Sequence, residues 1–141
     1  IRSVAYLGSL SRNFYKFGTY LNGEDNFSDN NITAVPNWVS ANNLFIGIQK
    51  NIFLNLRHRY VSGTPLNDAN TVYADAYNLV QAKTGINLSF AKSKTQLQLF
   101  AGLDNILNES YSLGNDINAF GNRYFNPAPR RNYYLGAQLS I

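Results

Sequence analysis

The side chains that could break or make a covalent bond are few. The chain has no Cys and a single His, His58. Thiolate metal sites, thiol nucleophiles and disulfides are therefore excluded, and so is any site built from several histidines. No nucleophile and base can be paired, and no metal cluster assembled, so no enzymatic activity, no metal and no cofactor are expected. What remains is chemistry of binding. Arg57 and Arg59 lie two residues apart and could hold an anionic ligand through charge-assisted hydrogen bonds. The competing reading is that they pair with carboxylates, because charges enclosed by protein generally need partners. Tyr73, Phe120, Arg123 and Tyr124, with Tyr20, Phe27 and Phe125, form a set of loop aromatics and one cation that could contact a ligand; loop-on-loop packing explains the rings equally well. Asp25 and Asp29 sit in an Asn-rich stretch without the spacing of a calcium loop, and solvated loop acids are the simpler reading.

The elements that position these residues follow from a period of two. Between Arg131 and Ile141, Tyr133, Leu135, Ala137, Leu139 and Ile141 alternate with Asn132, Tyr134, Gly136, Gln138 and Ser140. Between Thr95 and Asn105, Leu97, Leu99, Ala101 and Leu103 oppose Gln96, Gln98, Gly102 and Asp104, with Phe100 the one exception. Val80, Ala82, Ile86, Leu88 and Phe90 alternate with Gln81, Lys83, Gly85, Asn87 and Ser89. Leu44, Ile46 and Ile48, then Ile52, Leu54 and Leu56, continue the pattern on either side of Lys50-Asn51, a candidate two-residue hairpin turn. A first strand is expected over residues 3–17, with Val4, Tyr6, Leu10 and Phe14 in one phase but Leu7 and Tyr15 in the other. Such i+2 regularity makes strands with one apolar face, and helical spacing does not produce it. Arg57 and Arg59 fall on the polar phase. His58 shares the apolar phase of Leu54, Leu56 and Tyr60, which reads as an interfacial polar residue rather than a haem ligand.

The connections are long (residues 18–43), two residues (Lys50-Asn51), long (61–76), short (91–94) and long (106–130). Soluble meanders keep loops of about two to five residues throughout. Strict alternation of long and short connections, with strands of about ten residues, is the pattern of bacterial outer-membrane barrels. Composition agrees. Only 14% of residues are charged, against about 25% in an average soluble protein, and 21 Asn supply neutral polarity instead. The net charge of +4 is scattered and forms no basic block, so no nucleic-acid partner is expected. No run approaches the roughly 20 apolar residues of a membrane helix. Six strands are too few to close a barrel of this kind, which starts at about eight. The fold class expected is all-β: an antiparallel up-and-down meander of about six strands, residues 1–141 forming the C-terminal portion of a transmembrane β-barrel with the earlier strands absent.

Two segments near the end carry a resemblance. Residues 102–111 contain Asn105, Leu107, Asn108 and Tyr111; residues 127–136 contain Pro127, Pro129, Arg131 and Tyr133. Together they resemble the C-terminal end of TonB-dependent outer-membrane receptors, where a strand ending in Asn-Leu-Phe/Leu-Asn/Asp with a following Tyr precedes a variable loop, a Pro-x-Pro-Gly-Arg-x-Tyr segment and a final strand. Two positions depart from that pattern: Arg130 stands where the family has Gly, and Ile141 where it has an aromatic residue. In physical terms, Asn105 and Asn108 suit turns closed on nearby backbone, Pro129 fixes the path into the last strand, and Tyr133 suits an aromatic girdle. The resemblance implies an outer-membrane active-transport receptor for a scarce nutrient, most often a ferric siderophore or other iron complex, energised by TonB. Its implied partners are the outer-membrane bilayer, the rest of the barrel with its plug, and TonB through an upstream segment. The alternatives are a non-transporting outer-membrane barrel, such as an adhesin or autotransporter pore, and a soluble β-sandwich that binds carbohydrate.

Overall fold

The computed structural model describes residues 1–90 and 95–141. Six long strands form one antiparallel sheet in sequential order: β1 (Ser3–Arg12), β2 (Trp38–Gly47), β3 (Ile52–Val61), β4 (Tyr77–Ser89), β5 (Gln96–Asp104) and β6 (Asn132–Ser140). This is the up-and-down meander the alternation predicts. Residues 13–37, 62–76 and 105–131 make three long loops at one end of the sheet. Two of them contain small hairpins, Leu21–Asn22 with Asp25–Asn26 and Thr64–Pro65 with Tyr73–Ala74. The third contains a single 3-10 turn, Phe120–Asn122.

Three boundaries differ from the sequence reading. β1 ends at Arg12, after which Asn13 donates to the Asn37 carbonyl (2.8 Å) and the chain turns into its loop. β2 begins at Trp38, six residues before the apolar alternation becomes visible, because Ser40 and Asn42 occupy the phase that Leu44 and Ile46 hold further on. The turn between β2 and β3 is also longer than the expected Lys50-Asn51 pair. The Ile48 amide donates to the Ile52 carbonyl (2.9 Å), leaving Gln49, Lys50 and Asn51 outside the ladder. Neither Lys50 nor Asn51 takes a positive φ, the conformation a two-residue turn requires. The short connection expected at residues 91–94 lies outside the described residues.

Register gives each face its character. One face carries Val4, Tyr6, Leu44, Ile46, Leu54, Leu56, Val80, Ile86, Leu97, Leu99, Leu135 and Leu139, placed opposite one another across successive strands. Among the described residues nothing covers it at its outer members: Leu135 is 84% exposed and Tyr133 85%. The other face is polar, and here Phe100 stops being an exception. Ser3, Gly47, Phe53, Gly85, Phe100 and Gly136 form one cross-strand row in which aromatic rings alternate with glycines. The Phe100 ring lies where a Cβ of Gly136 would stand, and the Tyr134 ring occupies the same space over Gly102. A ring on this face needs a bare neighbour to lie upon, and the glycines supply it.

Among the described residues no second layer packs on the sheet. The small buried cluster lies among the loops instead, where Leu66 (1% exposed), Ala74 and Tyr124 (7%) pack with Val72 and Ala119. Among the described residues no helix is long and apolar enough to cross a membrane, which leaves strands unaddressed.

Candidate functional site

Three constellations stand out, and each rests on a different part of the fold. The first is on the polar face of the sheet. Arg57 projects there from β3, beside Asn55, and faces Gln81 and Lys83 of β4, Asp104 of β5 and Tyr134 of β6 across a recess of about 180 Å³. Two cations and one carboxylate in one recess give a net positive lining. Arg57 and Arg59 are both exposed and make no ion pair among the described residues. Lys83 sits 3.8 Å above the centroid of the Phe100 ring, a cation–π contact that holds the ammonium over the face of the sheet. Asn55 donates to Asn43 Oδ1 (2.7 Å), extending the polar surface towards β2. Lys83, Gln81 and Asp104 were not singled out in the sequence. They share the polar phase with Arg57, but only the register shows that they neighbour it.

The second constellation ties the three long loops together around Asp68. Thr33 of the first loop donates to one carboxylate oxygen (2.5 Å); Tyr20 of the same loop (3.2 Å) and Asn118 of the third (3.0 Å) donate to the other. Asn30 donates to the Asp68 carbonyl, and the Asp68 amide donates to Asn118 Oδ1. These bonds favour the charged form, the Thr33 hydroxyl most, and hold the carboxyl below the usual carboxylate value although partial burial opposes them. The same contact pushes the Tyr20 phenol up, through its bond to Asp68 and the nearby negative charge. The loop candidates sort around this knot. Tyr124 is buried in the loop cluster. Its ring borders the recess between Tyr20, Phe27, Asp68 and Asn118, so its surroundings are those of loop packing. Tyr73 is half exposed in a hairpin opposite Pro65. Phe120 (99% exposed) opens the 3-10 turn of the third loop and Arg123 follows it, and neither lines the cation-bearing recess.

The third constellation is the corner that joins β5 to β6. Asn105 is 3% exposed and takes φ 49°. Its Oδ1 accepts from the Glu109 amide (2.8 Å), while its Nδ2 donates to the Glu109 carbonyl (2.9 Å) and the Pro129 carbonyl (3.3 Å). Asn108, at φ 56°, has an amide that donates to the Asn105 carbonyl (2.9 Å) and an Oδ1 that accepts from the Arg131 amide (3.3 Å). Both asparagines therefore adopt the left-handed conformation they tolerate best and close turns on backbone. Arg130, where the resembled pattern has Gly, sends its guanidinium to the Asn108 carbonyl (2.7 Å) and adds a fastening of its own. Tyr111 packs at 5.0 Å against Tyr77, Pro127 bridges to Ser112, and Leu107 is exposed. Tyr133 lies opposite Leu103 on the aliphatic face. These residues fasten a corner, and no reactive group is among them.

His58, on the aliphatic phase, has a partner at each ring nitrogen. Tyr6 donates to Asn42 Oδ1 (2.6 Å), so the Asn42 amide nitrogen faces Ser40 Oγ (3.0 Å) and His58 Nδ1 (3.2 Å), and His58 Nε2 donates to Asn78 (3.0 Å). This chain of polar groups crosses four strands on the otherwise aliphatic face, and it occupies both ring nitrogens. No group of three or more His, Cys, Asp or Glu side chains converges among the described residues.

A sheet of this kind, with consecutive antiparallel strands, one aliphatic face, one polar face and its long loops at one end, is the wall of an up-and-down β-barrel. The solved structure of the siderophore receptor PiuA from Acinetobacter baumannii has the same fold: 99% of this chain superposes on it with a TM-score of 0.72 at 14% sequence identity. The match covers 20% of that receptor, so this chain spans about a fifth of its length. No family model matches the sequence.

Proposed function

We propose that the chain is the C-terminal wall segment of an outer-membrane receptor that takes up a ferric siderophore or a comparable iron complex, energised by TonB. The observation that carries this reading is the division of the sheet into an uncovered aliphatic face and a cation-bearing polar face, on a fold shared with a siderophore receptor barrel. The aliphatic face suits lipid and the polar face a hydrated lumen. A soluble sandwich would cover its aliphatic face with a second sheet, and none is present among the described residues. The partners on this reading are the bilayer, the remaining strands, a plug, and TonB reached through an upstream segment.

Arg57 and Lys83 are the residues on which binding of an anionic chelate would depend, by charge-assisted bonds to its oxygens. Arg59, exposed on the same strand and the same phase, extends the cationic surface towards the loops. The test is uptake of ferric chelate by cells that carry the receptor as their sole route. Replacing Arg57 and Lys83 together by Gln is expected to weaken chelate binding roughly tenfold to a hundredfold, at two charge-assisted contacts of about 1.5–3 kcal/mol each before solvent screening. A receptor that reaches the outer membrane but whose deletion leaves iron uptake unchanged would replace transport with a non-transporting barrel.

A further inference from the structure

At the loop end of β1 the aliphatic face gives way to a small cationic and aromatic recess. Arg12 pairs in register with Trp38 and shares the phase of Val4, Tyr6 and Leu10. Its guanidinium lies 4.1 Å from the centroid of the Phe14 ring and 4.7 Å from that of Trp38. Stacking on two rings fixes the plane of the fork and leaves its N–H edge open. The exposed Lys16, bridged to Asn31 through the backbone, adds a second cation, and Asn31 and Asn37 supply amides around a recess of about 180 Å³. No carboxylate lines it, and neither cation is ion-paired among the described residues.

We infer that Arg12 and Lys16 form a binding site for the phosphate of a lipid headgroup in the outer leaflet of the membrane. The inference rests on the reading of the chain as a barrel wall, and within that reading position selects the ligand. Arg12 and Trp38, which line the recess, lie on the lipid-facing phase at the end that carries the long loops, where aromatic residues mark the level of the headgroups. A planar guanidinium with a free edge takes two oxygens of a phosphate, and the lysine neutralises what charge remains. A cargo inside the lumen could not reach Arg12, which stands on the opposite face from Arg57.

The test uses the full-length receptor in nanodiscs containing lipid A, whose phosphates are anionic monoesters, or phosphatidylcholine alone, whose phosphodiester is balanced by its own choline. Retained lipid A is counted by native mass spectrometry. The Arg12→Gln, Lys16→Gln double variant is expected to lose retained lipid A roughly tenfold or more, with each single variant between it and the parent. Arg12→Lys, which keeps the charge without the planar fork, should retain less than the parent and more than Arg12→Gln. Heat-modifiable migration of each variant shows that its barrel is intact. Parent-like retention by the double variant in an intact barrel would overturn the site. Displacement of lipid A by inorganic phosphate at equal concentration would overturn the lipid assignment in favour of a free-anion site. Absence of the parent receptor from the outer membrane would instead remove the barrel reading on which the inference rests.

Discussion

The sheet and the loop crown are built from the same asparagine-rich, charge-poor sequence, yet they are held together by different physics. In the sheet, position is set by register. On the polar face Gly85, Gly102 and Gly136 each lie against a ring from a neighbouring strand, and a Cβ at Gly85 would stand 2.5 Å from the Leu99 carbonyl oxygen. In the crown, Gly23, Gly114 and Gly121 stand in open space but in the left-handed conformation, Gly114 at φ 62°. There, position is set by side-chain amides bonding to backbone, and by one carboxylate accepting from side chains, across long separations in sequence. The sheet is thus intolerant of volume and the crown is intolerant of lost hydrogen bonds.

That contrast is open to direct attack. The largest effect should come from Gly85→Val, because the neighbour that must yield is backbone; we expect about 1–3 kcal/mol of destabilisation, read as a lower urea midpoint with an unchanged slope. If the variant unfolds like the parent, the row of alternating rings and glycines is not a packing constraint. Next comes Asn105→Ala. It removes the partner of three backbone groups at an almost fully buried corner, and about 2 kcal/mol should be lost. The same measurement on Asn108→Ala, at an exposed position, should give less.

Asp68→Ala should leave the sheet intact while faster amide exchange appears at Asn31, Ala34 and Asn118, the loop positions whose amides are anchored around the knot. Equal acceleration in β3 and β4 would mean that crown and sheet are one cooperative unit. The charge of Asp68 adds a pH dependence. Its carboxyl titrates lower in the folded crown than its ordinary value of 3.8. The stabilisation is therefore complete above that value and is lost as pH falls below it through the folded-state titration. Loop exchange should accelerate in that acid window in the parent but not in Asp68→Asn. The smallest effect is expected from Gly114→Ala. It meets no atom but must hold a positive φ, costing about 1 kcal/mol or less.

How much of each region can be read in the sequence follows from the same difference. The strand alternation around Leu54, Ile86, Leu99 and Leu135 is written at intervals of two residues, so the aliphatic face is legible locally. Trp38 to Asn43 hides from that reading because Ser40 and Asn42 stand on the aliphatic face as members of a hydrogen-bonded chain with His58, and the partners Tyr6 and His58 that hold Asn42 are on other strands. The turns at Asn105 and Asn108 are legible because asparagine itself tolerates their φ. The role of Arg130 is not, since its acceptor is a carbonyl 22 residues away.

By itself the sequence determined the class of architecture: strands with one aliphatic face, long and short connections in alternation, and too little charge for an ordinary soluble domain. Periodicity and composition are local properties, and side chains at i and i+2 share a face whatever the rest of the chain does. Only the tertiary structure decided which residues meet. Register brought Lys83, Gln81 and Asp104 to Arg57, turned Phe100 from an exception into a member of a row, and gathered Tyr20, Thr33 and Asn118 on Asp68. Those meetings depend on pairings between distant segments, and no spacing along the chain encodes the distance between two strands that have yet to find each other.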